Sequence, residues 1–213
     1  MDNKIILCFI GMSGVGKDTI LNKFLKRNPQ FERMVPITTR PIRDGEINGK
    51  EYIFVTPDEF QSRIEQNQLM EHRKYKVKTI DNNEDIWYYG NEYPSKPYSA
   101  MIGTLETFQL IRKNTMTSDI QIYPIYLSIT DSERLYRLIT RETKMDKPNF
   151  REMIRRFYQD QVDFSSEKLE SSGIISINYD NKFIQLDSDS TVTAIEEYVK
   201  NRVFKGVHKN EQL

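Results

Sequence analysis

A glycine-rich segment near the start of the 213-residue chain carries the residue types best suited to chemistry. It reads Gly11-Met-Ser-Gly-Val-Gly-Lys17 and directly follows an apolar run. Small side chains let the backbone N–H groups surround phosphate oxygens, and the lysine adds a mobile positive charge. The segment therefore predicts a site for a nucleoside triphosphate, expected to be ATP. The residues assigned to it are Gly11, Ser13, Gly14, Val15, Gly16, Lys17, Asp18 and Thr19.

The elements on either side of this loop are predicted to be a strand and a helix. Residues 4–10 form a short apolar run typical of a buried strand. Apolar residues after the loop recur at helical spacing and stop before Asn28-Pro29: Ile20, Leu21, Phe24 and Leu25. The N-terminus of this helix, with its partial positive charge, should then point at the same phosphates.

The position after the lysine departs from the usual pattern. A Ser or Thr hydroxyl there usually contacts Mg²⁺. This chain has Asp18, with Thr19 next. Either Thr19 takes that role, or Asp18 meets the metal through water. We expect Mg²⁺ to arrive as Mg-ATP, with Thr19 as the protein ligand.

Composition favours one domain that acts on small molecules. Lys plus Arg and Asp plus Glu both total 31, so no basic excess drives binding to nucleic acid or anionic membranes. No apolar stretch approaches the roughly 18 residues of a membrane span, and residues 1–4 do not open a signal peptide. The single cysteine, Cys8, lies in the first predicted strand. We expect a cytoplasmic protein, monomeric or homodimeric, without disulfides or structural zinc.

Strand and helix patterns alternate along the chain. Further strands are predicted at 122–129 and 173–177. Capping boxes at 56–59 and 130–133 each start a helix. The apolar residues at helical spacing are Phe60 and Ile64, then Leu135, Leu138 and Ile139, and finally Phe150, Met153, Ile154 and Phe157. The alternation predicts an α/β fold with a parallel sheet covered by helices, while 34–95 reads as an excursion of short strands and turns.

The segment Thr38–Phe54 contains a second candidate site. Arg40 and Arg43 lie three residues apart beside Gly and Asn turn residues, and Tyr52 follows. Arginine forks suit a phosphate monoester, and a tyrosine hydroxyl adds a donor. The alternative is a solvated turn with surface arginines.

Together with the loop at 11–17, this segment resembles the guanylate kinase family. Nearly every position of the signature TTR-x-x-R-x-GE-x-NG-x-x-Y-x-F is matched, and the resemblance runs from about residue 4 to about residue 165. It implies a P-loop NTPase fold with a parallel five-stranded sheet, and transfer of the γ-phosphoryl group of ATP to GMP or dGMP. It also implies a single domain with a core (1–34, 95–136 and 158–205), an acceptor-binding insertion (35–94) and an arginine-bearing lid (137–157).

The resemblance also implies roles for individual residues. Leu69-Met70-Glu71 is similar to the family's F-[IL]-E, so Glu71 would read the base, although alone it could be a surface carboxylate. Tyr88-Tyr89-Gly90 is similar to the family's YYG. The implied acceptor-binding residues are Arg40, Arg43, Tyr52, Glu71, Tyr89 and Arg156. The implied catalytic residues are Lys17, Arg40, Arg137 and Arg141.

The lid assignment has an ordinary alternative. Arg137 and Arg141 lie four apart on one predicted helix face, and Arg155 and Arg156 follow on the next helix. They would stabilise charge on the transferring phosphate when the lid closes. Otherwise they form the solvated face of an amphipathic helix. His72, beside Glu71, is expected to be a structural or surface residue, because phosphoryl transfer needs no strong general base.

Four departures from the family pattern affect positions that would bind the acceptor or the metal ion. Pro36 and Asn91 stand where the family has hydroxyl residues, and Met101-Ile102-Gly103-Thr104 lacks the family's carboxylates. The path from Glu71 to Tyr88 is also about nine residues longer, and 81–85 reads as the turn of an added hairpin.

These departures leave other functions open. The acceptor could be another nucleotide or ribose 1,5-bisphosphate. The chain could also be a guanylate-kinase-like binding module, or a sensor that binds ATP without turnover. The intact loop residues Gly11, Gly14, Gly16 and Lys17 favour an enzyme.

Overall fold

A computed structural model describes residues 3–43, 45–78, 84–174, 182–184 and 187–204. The strands are β1 Lys4–Ile10, β2 Glu32–Arg33, β3 Ile37–Thr38, β4 Ile53–Phe54, β5 Leu69–Lys78, β6 Glu84–Glu92, β7 Tyr98–Ile102, β8 Ile120–Ser128 and β9 Lys182–Ile184. The helices are α1 Lys17–Arg27, α2 Pro57–Glu65, α3 Leu105–Asn114, α4 Asp131–Glu142, α5 Phe150–Asp163, α6 Ser166–Ser172 and α7 Ser188–Tyr198, followed by a π-helical segment Val199–Phe204. Within these residues, no helix combines the length and apolar character needed to cross a membrane.

The larger sheet is fully parallel and has five strands in the order β2-β7-β1-β8-β9. Strand β1 lies at its centre, and six of its seven residues are buried. Alternate residues of β1 join two apolar clusters, one packed with α1 and α7 and the other with α3 and α6. Burial on both faces explains the unbroken apolar sequence of this strand. The predicted parallel five-stranded sheet flanked by helices is confirmed.

Two of the three predicted strands of this sheet are found. The strand at 4–10 has the predicted bounds, and the strand predicted at 122–129 spans Ile120–Ser128. In the segment 173–177, Gly173 is instead the left-handed C-cap of α6 (φ 66°), Ile174 is in no strand, and 175–177 lie outside the described residues. The fifth strand is β9, whose three residues pair with β8.

The predicted helix starts and stops agree with the structure. Helix α1 ends at Arg27 with Asn28 as its C-cap. Thr56 and Glu59 form the full reciprocal capping box of α2. Thr130 accepts a hydrogen bond from the backbone N–H of Glu133 at the start of α4.

The predicted apolar faces of α4 and α5 are only partly correct. Leu138 and Met153 are buried, but Ile139, Phe150 and Ile154 are exposed. The buried face of α4 consists instead of Arg134, Leu138 and Glu142. Helix α4 therefore buries two charged residues, Arg134 and Glu142, where the sequence pattern predicts apolar ones.

Residues 35–94 form a smaller four-stranded sheet in the order β4-β3-β6-β5. Its apolar cluster contains Ile37, Phe60 and Leu69. Strands β5 and β6 form a long antiparallel hairpin in which Lys78 is paired with Glu84. Of the turn predicted at 81–85, residues 81–83 lie outside the described residues and the last two belong to β6.

We expect Phe24→Ala to destabilise the protein strongly. Phe24 is a fully buried residue of α1, and its ring centroid lies 5.7 Å from that of Phe9 in β1 and 5.2 Å from that of Phe31. Urea denaturation should show a loss of about 3–5 kcal/mol in the free energy of unfolding. Met116→Ala, at an 80% exposed position, should change it by less than about 0.5 kcal/mol. Equal effects of the two substitutions would contradict this packing.

Candidate functional site

The glycine loop leaves the carboxyl end of β1 and lies against two other backbone segments. A Cβ atom on Gly11 would lie 2.5 Å from the Leu127 carbonyl oxygen of β8. A Cβ on Gly14, whose φ is 84°, would lie 3.0 Å from the Arg134 carbonyl oxygen of α4. Glycine is therefore required at both positions by close approach, and at Gly14 also by the left-handed backbone.

The Lys17 ammonium group turns back onto this loop. Its Nζ donates to the carbonyl oxygens of Gly11 at 2.7 Å and Met12 at 3.0 Å. Burial lowers the pKa of Lys17 to about 8. The carboxylates of Asp160 and Asp18 oppose this shift of the pKa. The lysine charge is therefore held at the mouth of the loop, close to carboxylates from two different elements.

A cavity of about 380 Å³ joins the loop to the predicted lid helix. It is lined by Gly14, Gly16, Thr19, Arg137, Leu138, Arg141, Asp187 and Ser188. The two predicted lid arginines thus share a cavity with the phosphate loop. Asp187 and Ser188, at the start of α7, are lining residues that the sequence motifs did not indicate.

Asp18 and Thr19 differ in their surroundings. The Asp18 carboxylate accepts a hydrogen bond from Arg33 at 3.0 Å. Thr19 is exposed and lines the cavity. Of the two alternatives for contacting a nucleotide-bound Mg²⁺, this arrangement favours Thr19.

Arg40 is held rigidly in the acceptor segment. Its guanidinium group donates to both carboxylate oxygens of Glu46, at 2.8 and 2.5 Å, and lies over the rings of Tyr52 and Phe54. The residue is only 4% exposed. Burial disfavours the charged forms of both Arg40 and Glu46. Their mutual hydrogen bonds and attraction outweigh this effect, so the pKa of Arg40 is raised and the pKa of Glu46 is lowered.

Tyr52 and Tyr89 meet beside this arginine, as expected for a shared site. Their ring centroids lie 5.9 Å apart in an edge-to-face contact. Burial raises the pKa of the Tyr52 hydroxyl, which therefore remains a hydrogen-bond donor at neutral pH. Pro36, where the family has a hydroxyl residue, uses its carbonyl oxygen to accept from Ile53 N–H.

Arg43 and Arg156 lie where the acceptor segment faces α5. Glu152 on α5 has a lowered pKa, mainly because Arg155 donates a hydrogen bond to it, and the charges of Arg156 and Arg43 lower this pKa further. Arg156 also has a buried Nε atom without a hydrogen-bond partner in the described part of the chain. Arg155 and Arg156, the second pair of predicted lid arginines, thus lie near the acceptor segment.

Glu71 is completely buried and has two polar partners. Its carboxylate accepts from Asn91 Nδ2 at 2.5 Å and from Arg73 Nε at 3.0 Å. Burial raises the pKa of Glu71, and these two partners offset part of that shift. Asn91 Oδ1 is buried without a partner among the residues described.

Arg73 was not predicted from the sequence, although it lies at the centre of this cluster. Besides Glu71, it contacts the Thr104 hydroxyl at the start of α3, with Nη1 to Oγ1 at 3.1 Å. Tyr75 Oη lies 2.5 Å from the carboxylate of Glu106, two residues after Thr104 in the first turn of α3. Arg73 of the long hairpin therefore contacts the strand end that lacks the family's aspartates, and Tyr75 contacts the first turn of the helix that follows.

Arg134 and Asp160 were also missed. Arg134 is 1% exposed, and its Nη2 donates to Asp160 on α5 at 2.9 Å. Asp160 also accepts from the backbone N–H of Ser13 in the glycine loop, at 2.7 Å. A signal did exist, because Arg134, Arg137 and Arg141 follow the i, i+3, i+7 spacing of one helix face. The acidic partner could not be identified from that spacing.

Known proteins are similar to this chain in sequence. The family model for guanylate kinase matches residues 2–83. The guanylate kinase of Lactobacillus johnsonii is 34% identical over 152 residues, covering 67% of this chain and 68% of that protein. The guanylate kinase of Lactobacillus delbrueckii subsp. bulgaricus is 44% identical over 75 residues, covering 35% and 37% of the two chains.

The fold also matches a solved structure. The crystal structure of guanylate kinase from Anaplasma phagocytophilum has a TM-score of 0.60 and 18% identity, covering 93% of this chain and 86% of that one. This likeness supports the P-loop NTPase fold. The sequence match over two thirds of the Lactobacillus johnsonii protein, with the loop and acceptor segment placed as described, identifies the chain as a member of the guanylate kinase family.

Proposed function

We propose that the protein transfers the γ-phosphoryl group of ATP to GMP, or to dGMP, giving ADP and GDP or dGDP. The observation that carries this proposal is the cavity that Gly14, Gly16 and Thr19 share with Arg137 and Arg141. A phosphate loop and two mobile cations around one cavity supply the charge that phosphoryl transfer requires. The relatives named guanylate kinase give the acceptor class.

On the donor side, the chain's own groups bind and orient a triphosphate. Backbone N–H groups from Gly14 to Thr19, at the start of α1, hold the phosphates together with Lys17. Thr19 would hold Mg²⁺, which reduces the negative charge of the phosphates when it is bound. A hydroxyl in the cavity wall fits this hard cation, which usually binds few protein groups and takes its remaining ligands from phosphate and water.

On the acceptor side, Arg40, Arg43, Tyr52 and Tyr89 would bind the phosphate of the nucleotide. The fixed Arg40 fork and the neutral Tyr52 hydroxyl provide directional donors. Arg43 is exposed and lies near α5, where Arg156 can join it when the lid closes. Glu71 would accept hydrogen bonds from the base.

The lid arginines would act on the transferring group. Arg137 is paired with exposed Glu133 at 2.8 Å, a contact that a phosphate can replace at little cost. Arg141 is close enough to Lys17 to lower the pKa of that lysine. Closing these cations over the phosphates excludes water and stabilises developing charge, so no covalent intermediate is needed.

We further propose the chain's organisation and setting. It is one domain with a core, the acceptor-binding insertion 35–94 and the lid 137–157, and it works in the cytoplasm as a monomer or homodimer. Balanced charge supports small nucleotides, rather than nucleic acid or a membrane surface, as partners. Helix α4 spans the proposed lid boundary, since it begins at Asp131 and its residue Arg134 donates to the Ser13 carbonyl oxygen of the glycine loop.

One observation favours a second candidate acceptor. Arg73 pairs with Glu71 and reaches Thr104, at the strand end where the family has carboxylates. A cation there would also suit a ligand richer in acceptors, such as another nucleotide or a sugar phosphate.

An acceptor panel tests the proposed function. ADP release from Mg-ATP should occur with GMP and dGMP, and should be at least tenfold slower with IMP, AMP, UMP, dTMP or ribose 1,5-bisphosphate. Lys17→Ala should reduce turnover by about 100- to 1,000-fold, because it removes a phosphate-binding charge. Turnover only with a different acceptor would show that this acceptor, and not GMP, is the substrate. Folded protein that binds ATP but releases no ADP would instead indicate a binding module or sensor.

The affinity for Mg-ATP should fall as the pH rises above about 8. Only the protonated Lys17 neutralises phosphate charge, and burial places its pKa at about 8. If only that form binds, calorimetry should show the dissociation constant rising about tenfold between pH 7 and pH 9. Lys17→Ala should bind weakly with a flat profile over this range. If Lys17→Ala shows the same pH dependence as the wild-type protein, a group other than Lys17 causes that dependence.

Glu71→Gln should raise the KM for GMP by about 10- to 100-fold and change kcat much less, because an amide offers the base one acceptor fewer. Steady-state kinetics would measure both constants. Glu65→Gln, at an exposed position of α2, is the matched control and should change neither. The melting temperatures of the variants should also be measured, since Glu71→Gln removes the charged partner of Arg73. An unchanged KM in folded Glu71→Gln would remove Glu71 from the base site.

A further inference from the structure

The Asp160 carboxylate lies directly on the phosphate loop. Its Oδ2 atom accepts from the Ser13 backbone N–H at 2.7 Å and from Arg134 Nη2 at 2.9 Å. Two donors, one from the loop and one from the lid helix α4, thus converge on a single anionic oxygen. This is the donor arrangement that a phosphate oxygen also takes.

Arg134 is fixed in place by contacts other than Asp160. Its Nε donates to the Ser13 carbonyl oxygen at 3.0 Å, and its Nη1 donates to Asp131 at 2.7 Å. Its guanidinium group also lies 4.6 Å from the centre of the Phe157 ring. The cation would therefore stay at the loop if another anion replaced the Asp160 carboxylate.

Asp160 is less constrained than its partner. Its side chain is 16% exposed, against 1% for Arg134. Lys17 Nζ donates to the carbonyl oxygens of Gly11 and Met12, just before Ser13, and the charge of Asp160 opposes the lowering of the Lys17 pKa by burial. An anion in the position of the Asp160 carboxylate is close to three positively polarised groups.

We propose that Arg134 is a ligand of the terminal phosphate of the donor nucleotide, and that Asp160 competes with that phosphate for Arg134 and Ser13. The proposal rests on the proposed use of ATP. Arg134 begins the row that continues through Arg137 and Arg141, which line the cavity beside the loop. The inner phosphates take the N–H groups at the start of α1, so the position between Ser13, Lys17 and α4 belongs to the outermost phosphate.

The competition predicts that neutralising Asp160 tightens ATP binding. Asp160→Asn keeps an oxygen that can accept from Ser13 but removes the negative charge. Calorimetry at pH 7 should show about tenfold tighter binding of Mg-ATP and less than about threefold change for Mg-ADP, which lacks the outermost phosphate. Asp163→Asn is the matched control. It removes the same charge from the next turn of α5, where the exposed Asp163 side chain accepts from Gln159 at 3.1 Å and lies 3.5 Å from Lys168, and it should change neither affinity.

A second variant tests Arg134 without leaving a buried charge unpaired. Adding Arg134→Gln to Asp160→Asn removes both members of the pair. The gain in ATP affinity should then be lost, while the affinity for ADP changes by less than about threefold. If the double variant retains the gain, Arg134 is not a phosphate ligand.

The outcomes separate this inference from the proposed function. If wild-type protein binds Mg-ATP and phosphorylates GMP, but Asp160→Asn leaves the ATP affinity unchanged or weakens it, only the inference is overturned. Weakening would show that Asp160 holds the loop in its binding form. If folded wild-type protein binds neither nucleotide, both the proposed function and the inference are overturned.

Discussion

The close approach of the glycine loop to its neighbours is the constraint on which the site depends. Gly11 lies against the backbone of β8, and Gly14 lies against the backbone of α4, with no room for a side chain at either position. Because α4 follows β8 almost directly, the first turns of α4 lie against the glycine loop. The arginines further along α4 are therefore positioned by the same contacts that shape the loop. Distances within the site depend on backbone packing more than on flexible side chains.

Three arginines of the site are paired with carboxylates within the protein: Arg40 with Glu46, Arg73 with Glu71 and Arg134 with Asp160. Such pairs gain little net stability, because desolvation offsets their attraction, but they fix the orientation of the guanidinium groups. A phosphate that arrives must therefore compete with a carboxylate or share its arginine. The pairing lowers the affinity of the arginines for phosphate but fixes their orientation, and phosphoryl transfer requires such preorganised geometry.

Features set by local sequence could be predicted, whereas features set by distant contacts could not. Strand β1, the loop and α1 follow from one continuous pattern, and their bounds agree with the structure. Strand β9 has three residues and no pattern of its own, so only its pairing with β8 defines it. Arg134 interrupts an apolar face, and its partner Asp160 lies 26 residues away on another helix. Burial of such a pair depends on three-dimensional proximity, which no single segment encodes.

The proposed acceptor site departs most from the family pattern, and in the proposed function a pair of opposite charges would meet the guanine base there. Glu71 offers acceptors, and Arg73 beside it offers donors. Guanine presents N–H donors next to the O6 acceptor, so a carboxylate and a guanidinium side by side match that edge. Adenine has an amino donor where guanine has O6, which would face Arg73 unfavourably. In the proposed function, segment 101–104 supplies no carboxylate to the base, and the pair of Glu71 and Arg73 would provide the discrimination, because leaving a buried donor or acceptor unpaired is costly.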